Sequence, residues 1–109
     1  MTKQLWQPEQ VINFADFVSY ADGSIVSKTL TDKPAGSLTL FAIAQGQGIT
    51  EHKSPFDATV TVIEGEAKFQ VGSNIHLVKS GEALVMPANV PHAVLPGSAF
   101  KMLLIMIRS

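Results

Sequence analysis

The chain has 109 residues, eight of them basic and nine acidic, for a formal net charge of -1, and it contains no cysteine. That length makes one domain, and the lack of thiols excludes disulfides, thiolate zinc sites and cysteine nucleophiles. The near-neutral balance offers no electrostatic reason to bind nucleic acid or an anionic membrane, while 46% hydrophobic against 16% charged residues is too apolar for disorder and predicts apolar surface that meets a partner chain.

From Met1 to Pro8 there is no apolar stretch of the kind that forms a secretory signal, so a cytoplasmic protein is expected. Val11, Phe14, Phe17 and Val18 fall at helical spacing but are interrupted by Asn13 and Asp16, which predicts a turn or a short helix. Ile25 to Leu30 reads as an extended arm, and Thr31 to Gly36 as a loop by composition. Residues 1–36 are therefore expected to form an N-terminal arm on the barrel or on a partner, ahead of an all-β unit over 37–109.

From Ser37 onward, short apolar segments separated by Gly, Pro, Asn and Ser indicate strands. Leu38, Leu40 and Ala42 alternate with Thr39, Phe41 and Ile43, a pattern for a strand covered on both faces. Val60 and Val62 alternate with Thr59 and Thr61, and Glu64-Gly65 turns the chain into the alternating segment Ala67, Phe69, Val71. Further strands are expected at Ile75 to Val78, around Val85 and Met86 up to the corner Pro87 to Pro91, and from His92 to Val94. The last strand, Phe100 to Ile107, is apolar on both faces, and its run from Met102 to Ile107 is far short of the roughly 20 residues that cross a bilayer. This many short strands in an all-β chain suits a sandwich or a closed barrel, with a jelly roll fitting the length.

Three histidines are present, His52, His76 and His92. Gly46, His52 and Gly65 keep the spacing G-x5-H-x-H…E-x6-G, and Gly81, Pro87 and His92 keep the spacing G-x5-P-x-G-x2-H. With both spacings in one chain, the sequence resembles the cupin superfamily over Ser37 to Ile107, and within it a group of small bacterial single-domain cupins. The resemblance implies a double-stranded β-helix, or jelly-roll barrel, with an N-terminal arm. It also implies a divalent transition metal (iron, manganese, nickel, zinc or copper) at two histidines, a glutamate and a third histidine. Here Ser54 stands at the second histidine position and Ala58 at the glutamate position, which leaves His52 and His92 as the metal ligands and a metal that is weakly held or absent.

The principal reading is a small-molecule pocket at the barrel mouth, lined by His52, Ser54, His92 and Asp57. Asp57 reaches the pocket only if the chain bulges at Pro55-Phe56, because by strand parity it shares a face with Thr59 and Thr61 and not with Ala58, Val60 and Val62. A metal-dependent oxygenase or isomerase built on His52, His92 and Asp57 is one alternative, and a non-catalytic regulatory or interaction scaffold is another. His76 reads as a surface strand residue, and Met86, Met102 and Met106 as core or interface filler. The doubly apolar last strand and the extended arm predict a homodimer.

Overall fold

The computed structural model describes residues 5–108, so Met1 to Gln4 of the expected arm and Ser109 of the expected barrel lie outside the described residues. One short helix, α1 (Phe14–Phe17), precedes nine strands: β1 (Ile25–Lys33), β2 (Gly36–Ile43), β3 (Ile49–His52), β4 (Asp57–Glu64), β5 (Glu66–Val71), β6 (Asn74–Lys79), β7 (Ala83–Met86), β8 (His92–Leu95) and β9 (Phe100–Ile107). They form a five-stranded sheet in the order β1-β2-β9-β4-β7 and a four-stranded sheet in the order β3-β8-β5-β6. All pairings are antiparallel, and the two sheets are separate ladders. This is the expected jelly roll, with a core between two facing sheets.

The period-2 patterns settle which side chains enter that core. Val60 and Val62 are fully buried and pack with Phe69, Phe100, Met102 and Ile43, and the Phe69 and Phe100 rings meet edge to face at 6.2 Å. Gly65 closes the β4–β5 turn at φ +79°, where a β-carbon would also lie 2.7 Å from the Ala99 carbonyl oxygen, so glycine is required there.

The opposite face of the five-stranded sheet has its own apolar cluster. Leu40, Ala42 and Leu103 turn outward and are covered by Val18 and Leu30, with Trp6, Ile12, Phe14 and Phe17 packed around them. The N-terminal segment thus covers one face of β2 and β9 from within the same chain, which removes the argument that this face of the last strand needs a second subunit. A register shift between Thr29 and Thr31 leaves Leu30 as an extra residue that is wholly buried in this cluster.

Thr31 to Gly36 is not a loop. The strand runs on to Lys33, only Pro34 and Ala35 form the turn, and β2 starts at Gly36. Pairing with Ser37 and Leu38 satisfies backbone groups that composition alone assigned to solvent.

Polar contacts pin the cover in place. Asn13 caps α1 by accepting the Asp16 N–H. Lys101, a buried cation on the outer face of β9, donates to the Ala15 carbonyl, lies 5.0 Å over the Tyr20 ring and stands 3.8 Å from Glu64. A register shift between Val62 and Glu64 sets Glu64 directly opposite Lys101. The Tyr20 hydroxyl donates to the same carboxylate at 2.6 Å, and burial together with that bond pushes the phenol above its ordinary range.

Candidate functional site

His52 and His92 are direct cross-strand neighbours on β3 and β8. The pairing also matches Ile49 with Val94, so three steps along β3 oppose two along β8. That extra residue lets Ile49 and His52, which strand parity would send to opposite faces, both look into the space between the sheets. Such a shift cannot be read from one strand in isolation.

The space is a cavity of about 340 Å³ lined by Phe41, Ile49, Ala58, Val60, Met86, Val94, Met102, Leu104 and Met106, with His52, Ser54 and His92 as its polar positions. A larger surface depression of about 450 Å³ on the four-stranded sheet, bordered by Glu51, Gln70 and Pro96, contains no histidine. Of the two, only the cavity between the sheets brings histidines together.

Within the cavity the two imidazoles converge. Their Nε2 atoms are 3.1 Å apart, with ring centroids at 4.4 Å and planes at 74°. His52 is exposed at the rim, while His92 is only 4% exposed. Each Nδ1 faces a backbone carbonyl, Thr50 at 2.8 Å for His52 and Val90 at 3.2 Å for His92. A carbonyl can only accept, so in the tautomer that keeps both carbonyl bonds the Nδ1 atoms carry hydrogen and the Nε2 atoms present lone pairs. An Nε2–H can bridge the pair only if one ring releases its carbonyl or takes up a second proton. Burial and the neighbouring His52 ring, outweighing the Val90 carbonyl, push the His92 imidazole below its ordinary value, which disfavours that second proton at His92.

Ser54 sits at the cavity edge, where its hydroxyl accepts the Phe56 N–H at 3.1 Å. Its carbonyl accepts the Asn89 N–H at 2.7 Å, which ties the corner between β7 and β8 to the entry of β4. Asn89, at a motif position held by glycine in the resembling family, adopts φ +65°, a left-handed conformation that asparagine tolerates better than most residues.

Asp57 is not brought to the cavity. Its pairing with β9 is regular from Asp57 to Val62, so parity holds, and the exposed carboxylate accepts the Ala88 N–H at 2.8 Å. The set His52, His92 and Asp57 is therefore not assembled, and His76 is exposed on β6. The methionines read as core filler do pack in the core, and Met86, Met102 and Met106 also line the cavity.

A divalent centre of the kind the resemblance implies needs at least three protein donors. Among the described residues no group of three or more His, Cys, Asp or Glu side chains could hold a metal. Two imidazoles beside a serine and an alanine do not fit that centre. Among the described residues, no helix is long and apolar enough to cross a membrane.

The fold agrees with that of known proteins. The conserved SPY1581 protein of unknown function from Streptococcus pyogenes superposes with a TM-score of 0.88 at 32% identity, over 94% of this chain and 90% of that one. A cupin 2 conserved barrel domain protein from Leptotrichia buccalis gives 0.86 at 45% identity over 89% of this chain, which spans only 47% of that longer protein. A cupin superfamily protein from Desulfitobacterium hafniense shares the fold, with a TM-score of 0.88 at 22% identity over 95% of each chain. No curated protein matches the sequence. The family model for the cupin domain matches residues 39–107, a span that contains both histidines and every strand of the cavity, and the chain belongs to the cupin family.

Proposed function

We propose that the protein binds a small, largely apolar molecule between its sheets and holds the polar group of that molecule at the His52–His92 pair. The observation that carries this reading is a cavity whose walls are apolar except at one rim. Its 340 Å³ lies at the low end of the roughly 300–1,000 Å³ typical of ligand pockets, so the ligand is small. In the tautomer that keeps both Nδ1–carbonyl bonds, the free imidazole atoms are acceptors. The pair therefore favours a hydrogen-bond donor, such as a phenolic or alcoholic hydroxyl, over a carboxylate.

Phenol and benzoate, matched in size and opposite in donor character, separate these cases. Titrations followed by NMR of the cavity methyl groups should show phenol shifting Ile49, Val94 and Leu104 at lower concentration than benzoate. Ala58→Leu, which fills the cavity floor beside Met86 and Met106, should abolish both effects. Equal response to the two compounds would overturn the donor preference, and no response at millimolar concentration would overturn the pocket.

A further inference from the structure

Ala58 pairs with Met86 on one side and with Met106 on the other, so these three residues form a single row across β7, β4 and β9. All three face the cavity that His52 and His92 enter from the opposite sheet. The row is at the start of β4, the end that follows His52 and β3 in the chain, and it lines the same cavity as both histidines. Met102 pairs with Val62, four residues further along β4, and lies deeper. At the position where motif spacing would put a carboxylate, the chain thus has a methyl group flanked by two thioethers.

Two imidazole Nε2 atoms lie 3.1 Å apart, and in the tautomer that keeps both Nδ1–carbonyl bonds their lone pairs face each other, a repulsion that a shared cation relieves. Holding Nδ1–H against a carbonyl is also how proteins orient a metal-binding histidine. Apart from the Ser54 hydroxyl, which already accepts the Phe56 N–H, the remaining donors within the cavity are thioethers, which are soft and uncharged. Hard divalent ions select carboxylate and water, whereas thioether and imidazole together suit monovalent copper. We infer that His52 and His92, with Met86 and Met106, form a site for a soft monovalent cation, Cu(I), in place of the divalent centre the chain has lost. The inference uses the same two nitrogens as the proposed pocket but does not depend on any organic ligand.

The test is anaerobic competition of the full-length untagged protein against bicinchoninate for Cu(I), with Zn(II) titrated in parallel. One Cu(I) per chain is expected, with His52→Ala and the double variant Met86→Leu, Met106→Leu each weakening it at least tenfold. The double variant should leave Zn(II) binding unchanged, because it removes only sulfur. Methionine-to-leucine exchange conserves volume and preserves folding. X-ray absorption at the copper edge gives an independent reading in the unmodified protein, where sulfur as well as nitrogen neighbours are expected. Failure to bind Cu(I), a nitrogen-only shell, or an unchanged affinity in the double variant would overturn the assignment. Phenol binding that survives such a result would confine the failure to the metal site.

Discussion

The two faces of the five-stranded sheet receive apolar side chains from the same strands and end in different states. On the outer face, Leu40, Ala42 and Leu103 are sealed by a segment of the same chain, and the cations there are anchored to it: Lys101 to a carbonyl, a carboxylate and an aromatic ring, and Lys28 to the Phe17 carbonyl and ring. On the inner face, Phe100 packs against Phe69 outside the cavity while Met102, Leu104 and Met106 border open space beneath the histidines. Filling a face with local chain makes it a second core, and leaving one end of the other face unfilled makes a pocket. Burial alone does not separate the two, because both faces contain fully buried residues.

The sharpest way to break this contrast is in the packed end of the inner face. Phe100→Ala removes a ring that is 2% exposed, and it should destabilise the protein by about 3–5 kcal/mol in urea unfolding. Leu30→Ala tests whether the outer cover is equally a core. Leu30 is fully buried, so a loss of about 2–4 kcal/mol is expected, and a loss below about 1 kcal/mol would mean the cover is only loosely held.

Lys101→Met keeps the apolar stem and removes the anchor. Glu64 is partly exposed, so the ion pair itself contributes little, and the cost should be about 1 kcal/mol. Hydrogen exchange should show the loss of protection confined to residues 13–20. Loss that spreads to β4 and β5 would show that the two faces are coupled.

The smallest effect concerns pH and belongs to the inner face alone. His92 titrates lower in the folded protein than the roughly 6.5 of an unfolded histidine, so between those values the unfolded chain binds more protons. Metal-free protein should therefore lose stability as the pH falls from 7.5 to 5.5, and His92→Gln should flatten that slope. An unchanged slope in the variant would show that the buried ring does not contribute to it.

Several of these features were legible in the amino-acid order. The alternation of Leu40 and Ala42 with Phe41 and Ile43 announced a strand covered on both faces, and the first pair indeed joins the outer cluster while Phe41 and Ile43 join the inner one. The parity that argued against Asp57 in the pocket held because the ladder from Asp57 to Val62 has no extra residue. The motif spacings around His52 and His92 pointed to the family and to the two residues that meet. These are local signals, since alternation reports which side of a strand a residue takes and a turn residue reports its own backbone angle.

What covers a face, and which side chains share a cavity, depends on partners distant in the chain. Nothing near Leu30 reveals that it bulges into the outer cluster, and nothing near Ile49 reveals that a shift against Val94 brings it onto the same face as His52. Met86 and Met106 are 20 residues apart in the chain and become neighbours of Ala58 only through two different ladders. Sequence periodicity determined most of the strands and their faces, and the motif spacings pointed to the two histidines. Register between strands, which is set by pairing energy summed over the whole sheet, decided the 3.1 Å convergence of those histidines and the thioethers that stand across from them.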